Sequence, residues 1–343
     1  MMRMRPARKW YSTLGAGVVA LCLGGAPSAL LAQDSPPRTA FVIVAGVGGE
    51  PRLREAFHGW AVAVAQAATT RFGVPDSLVV LLAEDSSRAR VQGRSTRENV
   101  MRHIARLAGS SRAGDRLVIL LFGHGSTQGT DSRFNVPGPD LTPEDFRTVL
   151  APAREVSVIF VNTTSASGDF VKVLAGPNRT IITATRSGRE QNETLFPGHF
   201  VAALTTDSAD ADKDGRVNLL EAFTYARREV ERVFAQDNRI VTEHALLDDD
   251  GDGVGHSDAS EKGPDGLRAR AAFLEPAGGA AVAADPRAAE LLAARRAVEG
   301  RIEALRARRG SLTEDAYQRA LEPLMVELAE ATRALRALEG KKP

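Results

Sequence analysis

Hydrophobic residues in this chain occur first as short continuous runs and only later as helical stripes. Phe41-Val42-Ile43-Val44-Ala45 is one such run, and Ser77 to Leu82, Arg116 to Phe122, Val156 to Asn162 and Thr180 to Thr185 are the others. Runs without the alternation of a half-exposed strand predict strands buried on both faces. Between them, Leu53–Arg71 and Thr96–Leu107 carry helical periodicity, the second opened by Thr96 as N-cap with Glu98 in its first turn. Strands alternating with helices predict an α/β fold, a mostly parallel sheet sandwiched by helices. In such sheets ligands gather beyond the C-terminal strand ends. Small and polar residues cluster at those ends, in Gly46–Gly49, Gly123–Ser126, Asn162–Gly168 and Thr185–Glu190.

Past Phe273 the pattern changes: Tyr317 is the only further aromatic, and Ala, Arg, Glu and Leu dominate. Helices are predicted over Pro286–Arg309 and Ser311–Glu339, with Gly310 at the turn and a Ser311/Glu314 capping box. Leu291, Ala294, Val298, Ile302 and Leu305 form one apolar stripe, and Leu321, Leu324, Leu328, Ala331, Leu335 and Leu338 the other. They predict an antiparallel α-helical hairpin or short coiled coil over 285–340. Its stripes can close on each other, dock on the preceding domain or bind a partner.

At the other end, Arg3, Arg5, Arg8 and Lys9 precede an apolar stretch from Leu14 to Gly25, then Pro27 and a small-residue exit at Ala32. This reads as a signal peptide over 1–32, with a secreted or periplasmic mature protein expected. The alternatives are an uncleaved anchor helix and a lipoprotein using Cys22, against which a bulky Leu21 stands. The apolar stretch of about 12 residues is shorter than the ~20 a span requires, so no membrane span is expected after cleavage. Composition then matters for what it removes. The 343 residues hold 44 basic and 43 acidic side chains and one cysteine, Cys22. Cleavage takes four basic residues and no acidic one, leaving 40 against 43, and it takes the only thiol. That excludes a disulfide framework and a Cys-based zinc site. The near-neutral charge and 5% aromatic content give no nucleic-acid footprint.

Two acidic stretches carry metal chemistry. Asp210-Ala-Asp212-Lys-Asp214-Gly215-Arg216-Val217-Asn218-Leu-Leu-Glu221 has the twelve-residue spacing of an EF-hand calcium loop. Asp210, Asp212 and Asp214 supply oxygens at positions 1, 3 and 5, and Gly215 permits the turn. The Arg216 carbonyl is position 7, Glu221 the bidentate carboxylate, and Val217 the apolar position 8 that touches a paired loop. Flanking helices are expected at Gly198–Thr205 and Leu219–Phe234. A second cluster, Asp248-Asp249-Asp250-Gly251-Asp252-Gly253, repeats the start of this pattern but has Ala259 at position 12. It is either a calcium site on Asp248, Asp250 and Asp252, completed by Asp258, Glu261 or carbonyls, or a solvated Asp/Gly turn. Calcium is the expected cofactor.

The run LVILLFGHGS places His124 between two glycines after a strand, and VSVIFVNTTSASGDF ends the next strand in Ser165-Ala166-Ser167-Gly168. With Ala45–Gly49, Thr96-x-x-Asn99 and the T-A-T-x-S-G-x-E segment at 183–190, this resembles the caspase–hemoglobinase fold, especially the legumain-like cysteine peptidases. The resemblance covers roughly residues 39–235. It implies a catalytic histidine at His124 and a nucleophile position at Ser165, where the family has cysteine. Arg54 falls where the family has a substrate-pocket arginine, while a turn asparagine of the family falls at Gly48. A serine needs a well-aligned base and an oxyanion hole, whereas a thiolate is nucleophilic once formed. The expectation is therefore a degenerate peptidase binding a peptide or protein partner. The alternative is a serine hydrolase using Ser165 and His124. The implied organisation is a caspase-like domain at 39–205, a calcium-binding region at 206–275 and the hairpin at 285–340. Nothing in the pattern sets the oligomeric state.

Overall fold

The computed structural model describes residues 37–274, except 130, 214 and 215, and residues 312–339, with single positions between 287 and 305. The signal-peptide reading of 1–32 lies outside the described residues. Seven strands form one sheet: β1 (Thr39–Ala45), β2 (Val79–Ala83), β3 (Gly93–Arg94), β4 (Arg116–Phe122), β7 (Ser157–Asn162), β8 (Arg179–Thr183) and β9 (Leu246–Asp248). Their order across the sheet is β3-β2-β1-β4-β7-β8-β9. All pairs are parallel except β8 and β9, where Ile181 faces Asp248. Strands β5 (Gly125–Gln128) and β6 (Asp131–Phe134) make a separate antiparallel hairpin at the end of β4.

Period-two alternation sends each central strand's side chains into two cores. Phe41, Ile43, Ile159 and Val161 face α1 (Pro51–Thr70), α5 (Phe196–Thr205) and α6 (Leu219–Gln236). Val42, Val44, Val158 and Phe160 face α2 (Arg97–Ser110), α3 (Pro143–Leu150) and α4 (Asp169–Leu174). In the second core the ring centroid of Phe160 lies 5.0 Å from that of Phe146 and 6.0 Å from that of Phe170. Truncating such a side chain to alanine costs about 3–5 kcal/mol.

The helix starts follow local chemistry. Thr96 Oγ1 caps α2 by accepting from the Asn99 amide, as its sequence predicts. Thr142 and Asp145 form a reciprocal capping box at α3, as do Asn218 and Glu221 at α6. The stretch 206–274 is built into the same packed body as the sheet. Leu219, Phe223, Val230 and Phe234 of α6, Leu247 of β9 and Ala269 of α7 (Leu267–Ala271) share one core with Phe41 and Ile43.

Among the described C-terminal residues, Val298 and Ile302 are buried with Leu324, bordered by Leu305, Leu321 and Leu328. The two predicted stripes meet each other there, and Arg301 pairs with Glu327 at 2.6 Å beside them. No helix among the described residues is long and apolar enough to cross a membrane.

Candidate functional site

The four polar turns that carry the resemblance converge beyond the C-terminal ends of β1, β4, β7 and β8. Gly123, with φ of +154°, ends β4 against Gly46 and Phe134: a Cβ at this position would come within 3.0 Å of the Phe134 ring and 3.3 Å of the Gly46 Cα. His124 is half-buried, its Nε2 lies 3.3 Å from the Gly48 carbonyl, and its ring meets Phe57 edge-on at 5.2 Å. A carbonyl only accepts, so Nε2 carries the proton in this arrangement. The amide of Gly48 donates to Glu84 at 3.2 Å, and Glu84 also holds Arg54 at 3.1 Å. Arg54, expected as a pocket arginine, is thus paired with a carboxylate beside the turn.

Ser165 is 4% exposed and lies against this turn. Its Oγ donates to the Gly125 carbonyl at 3.0 Å and accepts from the Gly125 amide at 3.2 Å. A side chain on Gly125 would come within 1.9 Å of the Ser165 carbonyl oxygen, so only glycine permits the approach. The structure therefore brings Ser165 to the residue after His124 without joining the two side chains. Among the described residues no carboxylate hydrogen-bonds His124. A serine nucleophile requires a base within hydrogen-bond reach, itself oriented by a third group. Neither is present in this geometry.

The rest of the turn is braced internally. Thr185 Oγ1 accepts from the amides of Ser167 and Gly168 at 2.8 and 3.2 Å, tying S-A-S-G to T-A-T. The Ala166 amide donates to the Glu190 carbonyl at 2.7 Å, with Ala166 in a left-handed conformation. Sequence reading missed two residues behind this loop. His244 Nδ1 sits 2.7 Å from the Glu190 carboxylate, which Arg186 also contacts at 3.0 Å. Glu243, 6% exposed, accepts from the Leu195 and Phe196 amides at 2.8 and 2.9 Å at the start of α5. Burial, reinforced by the charge of Glu190, pushes its carboxyl up to about 7 against the two amide hydrogen bonds. Neither residue lies in a periodic run, and no spacing signal marks them.

The first acidic stretch connects α5 to α6, giving a helix–loop–helix. Carboxylate oxygens of Asp210, Asp212 and Glu221 lie within 4.8 Å of one another. Glu221 accepts from the amides of Ala211, Asp212 and Asn218 at 3.0, 3.3 and 3.0 Å, so it is aimed by the loop backbone. Burial, and then the charge of Asp212, raises its affinity for a proton. Asp214 and Gly215 lie outside the described residues. The Arg216 guanidinium stacks 3.7 Å over the Phe273 ring, and Val217 packs against the main core. Asn218 bridges to Phe273, whereas the second acidic loop pairs Leu247 with its own His256.

In the second stretch, carboxylate oxygens of Asp248, Asp250 and Asp252 also lie within 4.8 Å of one another. Asp248 is fully buried and accepts from the amides of Gly251 and Gly253 at 3.1 and 2.7 Å. Burial first, then the charges of Asp265 and Asp250, push its carboxyl up to about 6. Asp250 and Asp252 are exposed and accept from the Asp252 and Val254 amides at 2.9 and 2.7 Å. Glu261 pairs with Arg270, and Asp258 is exposed. Converging carboxylates repel by about 1 kcal/mol per pair at 4 Å even in bulk water, and by more where partly buried. A cation reverses that cost, and an all-oxygen donor set suits a hard divalent ion.

No known protein-family model matches this chain, and a search of curated proteins finds no match either.

Proposed function

We propose that the chain is an exported, calcium-stabilised protein of caspase/legumain-like type, a degenerate peptidase whose strand-end turns bind a peptide or protein partner. The observation that carries the non-catalytic half is the Ser165 hydroxyl, whose proton is given to the Gly125 carbonyl rather than to His124 and which also accepts from the Gly125 amide. In this reading the His124 turn and the Ser165 turn form a braced platform. Asp210, Asp212, Asp214, the Arg216 carbonyl and Glu221 hold one calcium ion in an EF-hand-type loop. Asp248, Asp250 and Asp252 hold a second, with backbone carbonyls filling the remaining positions. The ion's chemistry here is charge neutralisation: it relieves carboxylate repulsion and locks loops that share the sheet's core.

The experiment exposes the full chain to a fluorophosphonate probe, with calcium and with EGTA, while its melting temperature is followed. The expected result is no labelling in either condition and a melting temperature that calcium raises and EGTA lowers. Labelling that disappears in Ser165→Ala would replace this reading with the serine hydrolase. A calcium titration without heat or thermal shift would remove the metal assignment.

A further inference from the structure

The β5–β6 hairpin, which leaves the His124 turn, treats its two faces differently. In its register Gly125 lies opposite Phe134 and Ser126 opposite Arg133. The ladder runs one step further toward β4, where the Asn135 amide donates to the His124 carbonyl at 3.0 Å. Period-two alternation then divides the side chains. Thr127, Ser132 and Phe134 share one face, and the register puts His124, Ser126, Arg133 and Asn135 on the other. On the first face the polar side chains are matched within the molecule. Thr127 Oγ1 donates to the Gly188 carbonyl at 2.7 Å and Ser132 Oγ to the Asp169 carboxylate at 2.6 Å. The same carboxylate accepts from the Gly188 amide at 3.1 Å, which fixes the hairpin on the T-A-T-x-S-G turn.

The second face is not closed in this way. Asn135 Nδ2 donates to Ser126 Oγ at 2.8 Å, and the Ser126 hydroxyl proton has no acceptor among the described residues. Arg133 is half-buried and its Nε is shielded from solvent without a hydrogen-bond partner. Among the described residues no carboxylate pairs with its guanidinium. Three other arginines around the strand ends are all paired: Arg52 with Glu193, Arg54 with Glu84 and Arg186 with Glu190. Shielded donors go unmatched in few places in folded proteins, and a guanidinium has five donors and no acceptor. Arg133 is thus a cation laid against the protein, one strand from His124, with its counter-charge supplied by nothing around it.

We propose that Arg133 and Ser126 form an anion subsite on this face of the hairpin, which selects a peptide ligand through a carboxylate or phosphate group. This rests on the partner-binding reading above and gives that partner's chemical class. The planar guanidinium presents parallel donors that carboxylate and phosphate oxygens accept in pairs. Directly opposite it across the ladder, Ser126 adds a hydroxyl donor oriented by Asn135. Arg54 does not serve the same purpose, because Glu84 already occupies it.

The test measures binding of the full chain to pools of capped, fluorescently labelled hexapeptides by polarisation. Flanking positions are randomised, and one central position is fixed as glutamate, phosphoserine, glutamine or serine. The glutamate or phosphoserine pool should bind roughly tenfold more tightly than its neutral counterpart, the size of one charge-assisted pair. The larger of the two ratios identifies the group as carboxylate or phosphate. In Arg133→Gln, which breaks no bond within the molecule, the melting temperature should match wild type and the ratio should fall to about one. Arg133→Lys, which keeps the charge, should recover part of the ratio. Ser126→Ala leaves the guanidinium in place and should lower the ratio by a smaller factor, an independent reading of the same subsite. A ratio unchanged in Arg133→Gln, or binding lost equally from anionic and neutral pools together with a lowered melting temperature, marks Arg133 as structural and overturns the proposal. Peptides bound without preference for the anion also overturn it and leave the partner-binding reading standing. No binding to any pool overturns both.

Discussion

The Ser165 turn and the 210–221 loop are both polar connections built into one core, and they treat their polar atoms in opposite ways. At Ser165 the polar atoms bond locally: the hydroxyl donates to and accepts from the Gly125 backbone, Thr185 holds two amides, and the Ala166 amide is held by the Glu190 carbonyl. In the 210–221 loop the backbone instead gathers carboxylates that repel one another. The first is a turn braced by its own hydrogen bonds. The second holds like charges close together, an arrangement that the proposed calcium ion would relieve. A small-residue turn thus reveals little of its role until its hydrogen bonds are traced, whereas converging like charges are visible in the sequence spacing itself.

The sharpest way to break this contrast is at Glu221. Replacing it by Gln keeps an amide-accepting oxygen but removes the bidentate carboxylate, and calcium affinity at the first loop should fall about a thousandfold, about 4 kcal/mol, by calorimetry. The Ser165 turn should answer to space rather than charge. Gly125→Ala forces its new methyl against the Ser165 carbonyl. It should cost roughly 3 kcal/mol or more, lowering the melting temperature by roughly 6–12 °C with calcium present or absent. A calcium-dependent loss would show that the two regions are not separate in kind.

Glu243 tests the contrast by pH. Its folded-state pKa, about 7, lies above the ordinary 4.5, so the folded state binds the proton more tightly. Its contribution is fully present below pH 4.5 and is lost as pH rises through about 7, a change of order 3 kcal/mol at most. Glu243→Gln should therefore be no more stable than wild type at pH 4.5 and should overtake it by pH 7.5 in thermal melts. Parallel curves across that range would sink the assignment. The smallest effect is expected from Ser165→Ala, which strips two hydrogen bonds from the Gly125 backbone. Denaturant unfolding should show a loss of about 1–2 kcal/mol.

The continuous apolar runs locate β1, β2, β4, β7 and β8, because a strand buried on both faces has no polar side to blur the signal. The periodicity of Leu53–Arg71, the cap at Thr96 and the helix expected over Leu219–Phe234 place the large helices to within a few residues. Thr142-Pro143-Glu144-Asp145 carried a legible capping box, and α3 could have been read from it. The β5–β6 hairpin could not: GSTQ and DSRF have no apolar alternation, and their pairing depends on Phe134 closing over the β4 exit. β9 and α7 are three and five residues long, too short for any period, and their positions are set by the carboxylates of Asp249 and Asp265. At the candidate site, the nearness of Ser165 to the His124 turn was legible from strand-end placement. The direction of its hydroxyl was not, because its partner is a backbone group supplied by a distant turn.

The sheet ends on either side in its two shortest strands, β3 with two residues and β9 with three. An incoming chain seeking to extend the sheet would find only a few free amides and carbonyls at either border, too few to template a long ladder. That guards a protein whose interior is a stack of β-prone apolar segments against edge-to-edge polymerisation. It also means that recognition by strand addition is closed on the sheet itself, so whatever docks on this molecule must be read by side chains and turns.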